Sequence, residues 1–172
     1  MNQPTRIWRR AERVFTPWKN GGGRTAEILA MPEGAGLDGF DWRISTAEVA
    51  QSGPFSLFAG IDRWLTVLEG GAMTLSLPER DVEIAPGAAP VAFAGDVPCS
   101  ARLHGPALLD LNVMVRRPLR AHLGAPSSGP VLARYALALQ PVPEYGLQRF
   151  DLIACTPAQD PRLLWIEILP PA

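Results

Sequence analysis

The chain has 172 residues with 16 basic and 17 acidic side chains, a formal net charge of −1, 47% hydrophobic residues and 19% charged ones. This balance excludes a disordered segment and a broad basic field for a phosphate backbone, so nucleic acid is not an expected partner. The longest apolar runs, such as Leu-Leu-Trp-Ile at 163–166, fall far short of the ~20 residues of a membrane span, and the charged N-terminus has no signal-peptide core. A cytoplasmic protein that meets no membrane is therefore the expectation.

Eighteen prolines and sixteen glycines punctuate the chain and leave few stretches for a long helix. Between them lie apolar runs of strand length. In chain order they are 24–31, 40–49, 63–69, 72–77, 81–85, 90–94, 100–104, 107–116, 131–139, 148–155 and 162–169. Many short strands with turn signals between them predict an all-β barrel or sandwich. The run at 131–139, VLARYALAL, suits a helix as well by composition. The stretch GAPSSGP at 124–130 has linker composition and is the best boundary between a first unit and a smaller second one.

Period-two alternation sorts the side chains by face. In 40–49, Trp42 and Ile44 point one way, and Arg43, Ser45, Ala47 and Val49 the other. In 107–116, Leu109, Leu111, Val113 and Val115 share one face, and Asp110, Asn112, Met114 and Arg116 share the opposite one. If the apolar face of each strand packs in a core, the polar one faces a lumen or solvent, where small ligands bind in such folds.

Three strings could carry chemistry. In TPWKNGGGRTAEI at 16–28, Lys19 and Asn20 precede three glycines, whose amides could cradle an anion. The same glycines serve equally as a sharp entry to the first strand. The spacing is neither that of a Walker A loop nor of a dinucleotide fingerprint. In the second string, 40–71, Arg43 and Arg63 have the planar fork that suits a carboxylate, or they pair with Glu48, Asp62 or Asp41. In the third, DLNVMVRR at 110–117, Asn112 offers a donor and an acceptor.

Only two histidines exist, His104 and His122, with no paired metal-ligand spacing, so no metal or other cofactor is expected. No serine sits in a G-x-S-x-G elbow. Glu48 and Glu69 are the one carboxylate pair considered for acid–base work, with solvated charges as the simpler reading. Cys99 and Cys155 are read as small buried hydrophobes in a reducing compartment rather than as a disulfide.

Taken together and in order, PWKNGGGRTAEI at 17–28, FDWRISTAEV at 40–49, GPFSLFAGIDRWLTVLEGG at 53–71 and DLNVMVRR at 110–117 resemble the HutD/Ves family. The resemblance runs over about 8–117. It implies a bicupin, two RmlC-like jelly-roll β-barrels in one chain, without the cupin metal histidines. The first barrel would span about 8–117 and a second, smaller one 118–172, to which the N-terminus can add a strand. It implies a ligand site at Lys19, Asn20, Arg43, Ser45, Arg63 and Asn112 for a small anionic metabolite. It also implies a non-enzymatic regulator that limits flux through histidine degradation by binding urocanate or N-formylglutamate. The Ves branch is tied instead to cold and stress responses. A metal-independent enzyme acting on a small organic acid and a protein-interaction module with a relic pocket are the alternatives, and a homodimer is compatible with the fold.

Overall fold

The computed structural model describes residues 6–154 and 158–172. The elements are β1 (Arg6–Trp8), β2 (Thr16–Pro17), β3 (Gly23–Met31), β4 (Trp42–Val49), β5 (Gly53–Pro54), β6 (Ile61–Leu77), β7 (Arg80–Ile84), β8 (Val91–Ala94), β9 (Ser100–Arg116), β10 (Arg120–Gly124), β11 (Ala133–Ala138), β12 (Leu152–Ala154) and β13 (Leu163–Leu169). Two single-turn 3-10 segments, Arg10–Glu12 and Pro143–Tyr145, are the helical elements among the described residues. None of them is long and apolar enough to cross a membrane. The protein is all-β.

The chain forms two compact units, Val14–Arg117 and the pair of segments Met1–Arg13 with Pro118–Ala172. In the second of these, five antiparallel strands lie in the order β1-β12-β11-β13-β10. The helix-compatible run at 131–139 is strand β11, because Ala136 and Ala138 pack with Ile153, Leu163 and Trp165 in an apolar cluster. Asp151, almost fully buried, ties the N-terminal segment down. Its carboxylate accepts from Arg10 N (2.7 Å), Gln148 N (3.0 Å) and Arg9 Nη1 (2.8 Å). The stretch 124–130 is not a boundary between units. It joins β10 to β11 inside this unit, anchored where Ser127 N donates to Glu167 Oε2 at 3.0 Å.

In the larger unit eight strands form one sheet along the path β2-β3-β4-β9-β6-β7, with β5 on β9 and β8 on β6. Its two central strands, β6 and β9, are each 17 residues long. Straight, each would extend ~55 Å, more than a unit of this size spans, so both must bend. They bend together. The β6–β9 register shifts between Val67 and Glu69 and again between Gly70 and Ala72, as β-bulges do where a strand turns a corner. Runs 63–69 and 72–77 are therefore one strand, as are 100–104 and 107–116.

Gly70 is required at this corner. Its φ is +92°, and a Cβ there would lie 2.3 Å from Ala107 O. Gly70→Ala combines left-handed strain with a backbone clash, and we expect it to destabilise the unit by about 3 kcal/mol or more. Urea unfolding checks this, and an unchanged midpoint would refute it.

Residues from both arms of the bent sheet meet in one apolar cluster. Ala47, Val49, Leu65 and Val67 come from one arm, and Met73, Leu75, Ile84 and Ala101 from the other. The sheet thus packs one face upon itself. The expected closure into two barrels is not observed. Among the described residues β2 and β7 remain edges of the larger sheet, and β1 and β10 of the smaller.

Candidate functional site

The antiparallel register assembles a polar patch on the larger sheet, since directly paired residues share a face. Arg43 on β4 and Arg63 on β6 both pair with Met114 on β9. In the next row Ser45 and Leu65 flank Asn112, and in the next Ala47 and Val67 flank Asp110. Arg43, Ser45, Asp110, Asn112 and Arg63 therefore occupy one face of three adjacent strands. This is the same face that forms the apolar cluster, so the polar groups sit within the packed interior.

Arg63 is the centre of this patch. It is 5% exposed. Its guanidinium carbon lies 5.6 Å from the centroid of Phe55, 5.4 Å from Phe58 and 5.1 Å from Phe93, a box of three aromatic faces. Gly95 leaves room for the stem, because a Cβ there would come within 3.3 Å of Arg63 Cδ. Nη1 reaches Ser56 O at 3.4 Å, and Nε has no partner. Burial lowers its pKa from the ordinary arginine value, the charge of Arg43 adds to this, and Cys99 and Asp110 act against it. Arg43 is better satisfied. Its Nε donates to Glu27 Oε2 at 2.9 Å and its Nη1 to Ser45 Oγ at 3.4 Å.

On the same face as these cations are two acceptor atoms without a partner. Asp110 is 2% exposed, and both Asp110 Oδ1 and Asn112 Oδ1 are buried without a hydrogen-bond partner. Burial pushes the Asp110 carboxyl up to about 7, against the pull of Arg63 and of the Ala47 amide. A buried donor or acceptor without a partner costs about 1–3 kcal/mol, so the three orphans gathered on one face single this patch out as the candidate site. Beside it, a cavity of about 530 Å³ is lined by Phe55 and Cys99, which also flank Arg63, together with Leu57, Ser76, Leu77 and three prolines.

Of the six residues singled out from sequence, four meet here, namely Arg43, Ser45, Arg63 and Asn112. Lys19 and Asn20 form the exposed tip of a turn closed by Gly21 N donating to Trp18 O at 3.1 Å. Asn20 Oδ1 accepts from Gly22 N at 2.9 Å, and Gly22 O accepts from Ala50 N and Gln51 N. Gly23 lets strand β4 approach, since a Cβ there would stand 2.3 Å from Glu48 O. The Gly21 and Gly22 amides are thus engaged within the loop itself. The turn still connects to the site, because Trp18 packs edge-on against Phe55 at 6.4 Å.

Glu48 lies on the opposite face from Arg43 and Ser45, where Arg24 Nε and Nη2 hold it at 2.6 and 2.9 Å. His104 bonds Thr74 (2.7 Å), and His122 bonds Ala125 O (3.0 Å). Among the described residues no group of three His, Cys, Asp or Glu side chains gathers to hold a metal. Cys99 is a buried free thiol, pushed up to about 11 by burial. Cys155, at the end of the predicted 148–155 strand, lies outside the described residues.

A family model described as HutD matches residues 10–125. The chain belongs to the HutD family. It is 44% identical over 98 residues to an uncharacterised protein in the hutC 3′ region of Pseudomonas putida, a match covering 57% of this chain and 51% of that one. It is 43% identical over 101 residues to protein Ves of Citrobacter koseri, covering 58% and 52%. This HutD-family chain spans about half the length of the curated relatives it matches. HutD from Pseudomonas fluorescens SBW25, solved in a formate condition, superposes with a TM-score of 0.82 at 30% identity, covering 96% of this chain and 98% of that one. The polar patch lies wholly within the matched segment.

Proposed function

We propose that this protein is a non-enzymatic binder of a small carboxylate, acting in the cytoplasm to limit flux through histidine degradation, with urocanate and N-formylglutamate as candidate ligands. The single observation that carries this reading is the orphaned, buried Nε of Arg63 in its aromatic box. A carboxylate supplies what that group lacks, a charged acceptor for a planar fork. Arg43, half-committed to Glu27, offers a second cation two strands away. In this reading the two units are the halves of a bicupin, and Lys19 and Asn20 stand at the rim of the site.

Thermal shift against urocanate, N-formylglutamate, histidine, glutamate and formate tests it. A ligand at one hundred times its Kd stabilises by about 2.7 kcal/mol, which raises Tm by roughly 5 °C for a chain of this size. The expected result is such a rise with one of the acids and its loss in Arg43→Ala. No rise with any acid would overturn the reading and direct the search to protein partners. Consumption of the acid on long incubation would replace the binder with an enzyme.

A further inference from the structure

The unsatisfied groups of the patch are not all of one kind. A plain carboxylate would satisfy Arg63 Nε and leave Asp110 Oδ1 and Asn112 Oδ1 still without donors. Worse, it would bring a negative charge toward a second carboxyl that is 2% exposed. A site for a simple acid would carry an apolar residue at 110, as its cross-strand neighbours Ala47 and Val67 would permit. An aspartate on the interior face of a central strand, one row from Asn112 and two from the arginines, must be matched by something.

We propose that Asp110, with Asn112 beside it, is the specificity-determining residue of this site. It selects carboxylates that carry an N–H or O–H donor near the acid group and rejects those that do not. The ligand's carboxylate takes Arg63, and its donor reaches Asp110 Oδ1 two rows below. This inference rests on the carboxylate-binding reading and narrows it to a chemical class, the acylamino, hydroxy or heteroaromatic N–H acids.

Arg63 from β6 acts directly on Asp110, Arg43 from β4 with its partner Glu27 from β3 stands on the same face, and the Cys99 thiol acts on Arg63. Because its carboxyl titrates at about 7, the ionised form that accepts a donor best becomes populated as pH rises through neutrality. Discrimination in favour of the donor-bearing acid therefore grows from pH 5.5 to 8.5.

The test uses N-acetylglycine and 4-oxopentanoate, two acids of one shape in which an N–H replaces a CH2. Calorimetric titration of the full chain should give a preference for N-acetylglycine of about tenfold or more, the worth of a hydrogen bond to a charged group. The preference should widen with pH and vanish in Asp110→Leu. If that variant fails to fold, Asp110→Asn keeps the shape and one acceptor, and its preference should be smaller and independent of pH. Equal binding of both acids would overturn the assignment of Asp110 and leave carboxylate binding standing. A preference that survives in Asp110→Leu would do the same. Binding of neither acid at millimolar concentration, together with a flat thermal-shift panel, would overturn both.

Discussion

Replacing Arg63 by methionine should abolish ligand binding and leave the fold as stable as before, or more so. The affinity loss is on the order of 2–5 kcal/mol, the cost of removing one side of a buried charge-assisted contact. Stability behaves differently because the Arg63 guanidinium is desolvated and its Nε bonds to nothing. Swapping a buried charge for an apolar side chain of similar volume is often neutral or stabilising. Methionine fills the same channel past Gly95 and keeps favourable contact with Phe55, Phe58 and Phe93. At pH 6 Asp110 remains mostly protonated, so it loses little when Arg63 leaves. Urea unfolding at pH 6 together with calorimetric titration measures both halves. A variant that binds normally contradicts the site, and one that unfolds outright makes Arg63 a structural residue.

Asp110 gives the second large effect, this time on stability. Its folded pKa of about 7 stands above that of an ordinary carboxylate near 4. Between those values the folded chain holds a proton that the unfolded chain has released. Rising pH therefore favours the unfolded state, at about 1.4 kcal/mol per pH unit across the window. Asp151 and Glu167 are held below the usual carboxylate range, by hydrogen bonds and charges that outweigh their burial. They act in the opposite sense and only as pH falls below about 4. Hydrogen exchange of β4 and β9 amides at pH 5 to 8 should show the decline, and Asp110→Asn should remove it. An unchanged slope in that variant would assign the titration elsewhere.

Alternation was sufficient to place Arg43 with Ser45, and Asn112 with Asp110, because those stretches are regular strand. It could not place Arg63 beside them. That requires the long-range β6–β9 register, which local pattern does not encode. The aromatic box was hidden for the same reason. Phe55 and Phe58 lie in an irregular segment, and Phe93 arrives from β8. Asp110 itself left a signal, an acid inside an apolar run, which is costly unless something answers it. The glycine string suits a ligand loop and a strand entry equally, and the Gly21 and Gly22 amides are spent on Trp18 and Asn20. Strands of two or three residues, such as β2 and β5, have too few positions for a period to appear. Gly-Gly and Gly-Pro corners split β6 and β9 on paper because a bend and a turn use the same residues.

The most direct test of the whole account is the Arg63 Nε–H resonance in a 15N-correlated NMR spectrum, followed while N-acetylglycine or N-formylglutamate is added. The account predicts that this unpartnered N–H shifts strongly and saturably, ahead of the other arginine signals, as the carboxylate takes it. Saturable binding that leaves the Arg63 signal unmoved would contradict it.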